Sequence, residues 1–175
     1  MVADDNGEPC PPGVPGTVYM RMGLEFEYKG DPEKTAASRL HGFFTVGDVG
    51  FLDADGYLFL CDRKSDMIIS GGANIYPAEI EAEIITHGKV ADVAVFGIPD
   101  EEWGEQVKAV VQPADGVEPS DELAAEILAS LEGRLAKMKW PKSIDFIAEM
   151  PRDPSGKLLK RRLRDPYWSG RSAAI

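Results

Sequence analysis

From Asp66 onward, apolar residues recur in two rhythms. "VADVAVFGIP" and "QVKAVVQP" are dense in valine and alternate with little interruption, and both read as strands. Helical spacing appears on either side. "YPAEIEAEIITHG" places Ile80 and Ile84 on one face. Pro77 suits its first helical position, the acidic residues come early, and Gly88 closes it. "SDELAAEILASLEGRLAKMK" is the clearest helix, with an apolar stripe of Ala124, Ile127, Leu128, Leu131 and Leu135. Ser120 is a good N-cap, Asp121 and Glu122 occupy the positive end, and Lys137 and Lys139 fall at the negative end. "MIISGG" reads as a short strand ending in paired glycines, "SIDFIAEM" as a last strand and "KLLKRRLRD" as a short helix. Strands and helices alternate, which predicts an α/β (α+β) fold with a short mixed sheet and flanking helices.

The first sixty residues are patterned differently. Gly and Pro turns open the chain and lead to a strand expected over Thr17 to Met22. "YKGDPEKTAAS" reads as a loop running into a short helix. Phe43 to Val49 and Tyr57 to Cys61 are β-prone, and "DADG" supplies an Asp-Gly turn between them. A hairpin needs neighbours to bury a face, and few apolar segments precede this one. Residues 1–62 are therefore expected to be a β-rich strip of a larger domain whose remainder lies outside the chain. An unusually small, self-contained β subdomain is the alternative.

Composition narrows the picture. The chain has 175 residues, 43% hydrophobic and 28% charged, an ordinary globular balance. A net charge of -11 argues against non-specific nucleic-acid binding. Cys10 and Cys61 are isolated, and with only His41 and His87 no zinc spacing appears, so both cysteines read as reduced thiols. No basic-then-apolar leader opens the chain, and no run approaches the roughly 20 apolar residues of a membrane span. A cytoplasmic protein without a transmembrane segment is expected.

Against this acidic background, the stretch after Met150 carries seven basic residues and two acidic ones. Its "DPSGKL" is not a phosphate loop: Pro151 stands where the early glycine belongs, and Leu158 follows the lysine. "DADG" is not a calcium loop, because Leu58 occupies the position of the sharp-turn glycine. "KRRLR" on an acidic chain reads as a solvated face. Lys157 after a Ser-Gly turn is a point charge on a long stem, and the turn is expected to be mobile. Taken alone, Lys157 is an ordinary surface lysine, and Gly71 and Gly72 an ordinary turn.

Together the motifs carry more. "VGDVGFLDADGYLFLCDRKSDMIISGGANIYPAEIE", "FGIPDEEWGEQVKAVV" and "PRDPSGKLLKRRL" follow one another in this order. The chain resembles the C-terminal third of the acyl-CoA synthetases, in the adenylate-forming enzyme superfamily, with the flavour of a bacterial fatty-acid–CoA ligase. The resemblance covers nearly the whole chain. It implies activation of a carboxylate with ATP to acyl-adenylate, then transfer to coenzyme A. It divides the chain into a remnant of the large N-terminal domain (1–62), a hinge (63–66) and the mobile C-terminal domain (67–175). Asp48 matches the aspartate that binds the ribose hydroxyls, and Arg63 an arginine that contacts the nucleotide. Lys64 and Ser65 match the hinge, and Gly71 and Gly72 the loop along the pantetheine tunnel. Lys157 matches the lysine that bridges carboxylate and α-phosphate. Val46 departs from the family, where threonine is common. The phosphate loop, the magnesium-binding glutamate (and so Mg2+) and the acyl pocket belong upstream, so the chain alone is expected to be inactive. Met1 and the lack of a tag-like segment favour a split or truncated gene. A non-catalytic module that docks on a separate N-terminal ligase half, or self-associates through exposed strands, is the competing expectation.

Overall fold

The computed structural model describes residues 1–21, 23 and 27–169. The chain divides into two compact units, Met1–Ser65 and Asp66–Ile175.

In the first unit, β1 (Val2–Ala3), β2 (Gly16–Val18), α1 (Pro32–Ala37), β3 (Arg39–Leu40), β4 (Phe43–Phe44), β5 (Asp48–Leu52) and β6 (Leu58–Arg63) follow in order. Four strands form an antiparallel sheet in the order β1-β2-β5-β6, and β3 pairs with β4 apart from it. Helix α1 starts where a cap and a proline coincide: the Asp31 carboxylate accepts from the Lys34 amide at 2.9 Å. The strand expected from Phe43 to Val49 is broken. His41 and Gly42, at φ +50° and +80°, turn Phe43–Phe44 back onto Arg39–Leu40, and Gly47, at φ +90°, interrupts the backbone before Asp48 starts a separate strand. The "DADG" turn does close a hairpin, between β5 and β6. The Asp53 carboxylate accepts from the amides of Asp55 at 3.0 Å and Tyr57 at 2.8 Å. β2 stops at Val18, short of the expected strand; Met20 makes an isolated bridge to Phe44, and Met22 lies outside the described residues.

A 3₁₀ turn, Lys64–Asp66, spans the division. The second unit then runs β7 (Ile68–Ser70), β8 (Ala73–Ile75), α2 (Pro77–Ile84), β9 (Val90–Asp100), β10 (Gly104–Pro113), α3 (Asp121–Ala129), β11 (Ser143–Phe146) and α4 (Lys160–Trp168). β10 is central. It pairs antiparallel with β9 along its length, parallel with β11 over Lys108–Val111, and antiparallel with β7 at Gly104. The fold is a small mixed α/β domain, as the alternation predicted. Strand period sends Val93 and Val95 to one face, where they pack with Ile80, Ile84, Leu123, Ile127 and Leu131. Ala94 and Phe96 point to the other, with Val110, Met150, Leu158 and Leu163. Helices cover both faces, which is why these strands read as continuous apolar runs.

Two expectations are corrected. α3 ends at Ala129, where the Ser130 hydroxyl bonds back to the Ile127 carbonyl at 2.6 Å. Lys137 and Lys139 therefore sit in a separate 3₁₀ turn, and Lys139 pairs with Glu79 of α2 at 2.7 Å. The buried position at the start of α3 is Leu123, with Ala124 only half-buried.

Candidate active site

The segment around Lys157 is a miniature hairpin. Arg152 bridges to Leu158, the Asp153 amide donates to the Lys157 carbonyl at 2.9 Å, and the Leu159 amide donates to the Pro151 carbonyl at 2.8 Å. One carboxylate braces its interior. Asp153 Oδ1 accepts from the Ser155 amide at 2.8 Å, the Ser155 hydroxyl at 2.6 Å and the Lys157 amide at 3.0 Å. These bonds, the Ser155 hydroxyl foremost, hold the Asp153 carboxyl below its ordinary range. The Ser-Gly turn expected to be mobile is thus tied by its own aspartate, and it presents Lys157 exposed. Arg152 adds an outside connection: Nη1 donates to the Gly156 carbonyl at 2.7 Å, and Nη2 pairs with Asp92 at the start of β9. On the far side of the turn, Lys160 pairs with Glu81 of α2 at 2.7 Å.

Gly71 and Gly72 are the two turn residues joining β7 to β8, a strand that the apolar pattern does not announce. Their φ values, +57° and +79°, are those of a two-residue hairpin turn, which L side chains resist. Trp103 lies against this turn. Its carbonyl accepts from the Gly71 amide at 2.9 Å, and a Cβ on Gly71 would come 2.5 Å from the indole ring. Trp103 remains 52% exposed, and its amide is held by Asp100 at 2.8 Å. Sequence reasoning passed over it, although "DEEWGE" places a tryptophan in a polar turn, where a core residue would not be.

The glycine turn and the lysine turn are not together. The first touches the Asp100–Gly104 end of the β9–β10 hairpin; the second is tied to Asp92 at the other end. Eight residues of strand separate them, about 27 Å at roughly 3.4 Å per residue.

In the first unit, Asp48 and Arg63 face each other across β5 and β6, with Nε 3.1 Å from Oδ1. Lys64 donates its amide to the Gly47 carbonyl at 2.8 Å and pairs with Asp5 at 2.8 Å. Ser65 closes this unit. Val46 is 39% exposed, a surface position.

The second unit also buries two charged side chains, Lys108 and Glu105, to which the sequence reading gave no role. Lys108 is 5% exposed, and its ammonium donates to Asp145 at 2.8 Å and Ser143 at 3.0 Å, with the Tyr167 ring 5.2 Å away. The Tyr167 hydroxyl donates to Asp145 at 2.6 Å. Burial opposes ionisation of Asp145, but the bonds from Lys108 and Tyr167 outweigh it and lower its pKa. Tyr167 is pushed up to about 12, by burial first and then by Asp145. Glu105, also 5% exposed, is raised by burial, with Arg164 opposing. It lines a cavity of about 30 Å³ under α4, together with Phe96, Gly97, Lys160 and Trp168. Neither Cys10 nor Cys61 is in a disulfide. Among the described residues, no cluster of three or more His, Cys, Asp or Glu could hold a metal ion, and no helix is long and apolar enough to cross a membrane.

Comparison with known proteins bears on the second unit directly. Residues 79–157 match the family described as the AMP-binding enzyme C-terminal domain. The chain contains the C-terminal domain of an AMP-binding enzyme. It is 44% identical over 168 residues to the fatty acid–acyl-carrier-protein ligase ScoC of Streptomyces coeruleorubidus, covering 95% of this chain and 32% of that protein. It is 46% identical over 164 residues to the feruloyl-CoA synthase of an Amycolatopsis species, covering 93% and 33%. Among solved structures, ATP-bound MatB from Rhodopseudomonas palustris superposes with a TM-score of 0.85 at 38% identity, covering 95% of this chain and 33% of that one. The chain thus spans about a third of the length of these relatives, whose names differ in acid and in acceptor. The matched stretch of the AMP-binding domain starts at Glu79 on α2 and ends at Lys157.

Proposed function

We propose that this chain supplies the mobile domain and the adenylating lysine of an ATP-dependent acid–CoA ligase acting on a fatty acid. In the first half-reaction, a carboxylate oxygen bonds to the α-phosphorus of ATP and the bond to pyrophosphate breaks. In the second, the thiol of coenzyme A attacks the acyl carbon; AMP leaves, and the thiol proton passes to solvent. The first step brings two anions together. A cation touching both lowers their repulsion and stabilises charge in the transition state, the role given to Lys157. Asp48 accepts from the ribose hydroxyls, and a carboxylate suits two vicinal donors. Arg63, which pairs with Asp48, orients it and contacts the nucleotide. The domain turns at Lys64 and Ser65, between 1–62 and 67–175, and the division between Ser65 and Asp66 supports that placement. The turn at Gly71 and Gly72 then passes the pantetheine arm.

One observation carries this reading: the lysine turn is tied to one end of the β9–β10 hairpin and the glycine turn to the other, as a body that serves two steps with two faces requires. Upstream ligase sequence is the natural partner. It would supply the phosphate loop and magnesium ligand, and it would cover the exposed Leu58, Phe59 and Leu60 of the edge strand β6. The similarity to a fatty acid ligase supports the acid named.

The test joins this chain to the upstream two thirds of a relative and measures each half-reaction in single turnover. Lys157→Ala is expected to slow adenylation by about 10²–10³-fold, the typical cost of losing one charge-stabilising donor. Thioester formation from preformed acyl-adenylate should be nearly spared. Gly72→Trp should show the reverse. Equal slowing of both steps by Lys157→Ala would make the lysine structural. Ligase turnover by the chain alone would overturn its assignment as part of the site.

A further inference from the structure

We infer that Arg152 is a positioning residue for Lys157, holding the lysine's turn in register with the sheet through Asp92. The inference rests on the reading of Lys157 as the adenylating lysine. The bonds made by Asp153 are internal to the turn: they set its shape but not its attitude to the rest of the unit. The guanidinium of Arg152 does what they do not. One arm donates to the carbonyl of Gly156, the residue immediately before Lys157, at 2.7 Å. The other arm pairs with Asp92, near the start of β9. Asp92 is itself oriented, because its second oxygen accepts from the Val93 amide at 2.8 Å. A single planar fork therefore joins the backbone beside Lys157 to the first residues of the central hairpin.

The exposure of the pair supports an orienting role over a stabilising one. The Arg152 and Asp92 side chains are 46% and 24% exposed, and ion pairs so placed add little to stability. Geometry depends on them more. Lysine at position 152 would keep the charge, but its point-like ammonium does not reproduce a fork that spans two fixed acceptors. The tether on the other side of the turn, Lys160 to Glu81, lies three residues beyond Lys157 and does not reach Gly156.

The test uses the complete ligase described above, carrying Arg152→Gln, Arg152→Lys, Asp92→Asn or Lys157→Ala, with thermal melting of each. Arg152→Gln is expected to slow the single-turnover adenylation rate by about tenfold, because small misplacements of a catalytic group cost one to two orders of magnitude. KM for ATP, the thioester step and the melting temperature should change little. Arg152→Lys should recover part of the rate, and Asp92→Asn should lose less than Arg152→Gln. Adenylation within twofold of the parent in Arg152→Gln, or equal slowing of both steps, would overturn the inference. If Arg152→Gln fails to fold, Arg152→Lys decides: full adenylation activity there overturns it, and a selective loss supports it. The Lys157→Ala arm keeps the two readings apart. If that variant adenylates normally, the reading of Lys157 fails; if it is crippled while Arg152→Gln is not, only the role of Arg152 falls.

Discussion

The two units of this chain bury apolar surface very differently. Among the described residues, the first unit buries Val2, Ala3, Val18 and Val49, and leaves Tyr57, Leu58, Phe59 and Leu60 exposed along its outer hairpin. The second unit closes thirteen buried residues into one cluster, with helices on both faces of its sheet. The contrast is what a division of labour across a longer chain would leave. A domain that folds around its own core can be carried as a body. A strip of sheet with one open face is incomplete without its neighbours. The turns proposed for catalysis, at Gly71–Gly72 and Lys157, both belong to the unit with the larger buried core.

The largest effect should come from the core of the second unit. Ile127→Ala, at a site with no exposure, is expected to cost about 2–5 kcal/mol. Native-state hydrogen exchange should show the amides of β9 and β10 as the slowest and those of β1 and β6 opening at lower cost. Equal protection in both units would break the comparison, and would mean that the first unit has found a partner of its own.

Asp145→Asn comes next and carries a pH signature. Its folded pKa lies below the ordinary 3.8, so its stabilising effect is present above that value and is lost as pH falls through the lower folded one. At pH 7 the change should cost about 1–2 kcal/mol: a hydrogen bond to a charged group, discounted because Asp145 is half-exposed. The gap between the denaturation curves of parent and variant should narrow as pH falls from 7 through the carboxylate range. A cost that does not vary with pH would place the effect in packing.

Gly71→Ala should destabilise by about 1–2 kcal/mol, from the left-handed backbone alone, and should also displace Trp103. Gly72→Ala meets nothing within 4 Å, so it should leave Trp103 in place. Tryptophan fluorescence separates the two, and identical spectra would remove Trp103 from the glycine turn.

The smallest change in stability belongs to Leu60→Ser, expected within about 0.5 kcal/mol because Leu60 is 64% exposed. Its effect should appear in association instead. Sedimentation of the isolated chain should show less self-association, or a mixture with the upstream domain weaker binding. No change in either would leave the open face of β6 without a role.

What the residues determined alone was local and periodic. The valine runs became β9 and β10, because a strand buried on both faces needs apolar residues at every position. Pro77 started α2, and Ser120 capped α3 by accepting the Leu123 amide at 3.2 Å. The ordered motifs were enough to indicate the family. Tertiary structure decided the rest. The apolar stripe kept helical spacing past Ala129 although the helix did not, because Leu131 and Leu135 reach the core from a turn as well as from a helix. Gly47 split a strand that reads as continuous, since one positive φ leaves no mark on hydrophobic pattern. Lys108, Asp145 and Tyr167 lie far apart in sequence, and their pairing depends on β10, β11 and α4 meeting. The tie from Asp92 to Arg152 crosses sixty residues. A lysine can be found by its motif, but what aims it is set by contacts between segments that only the folded chain brings together.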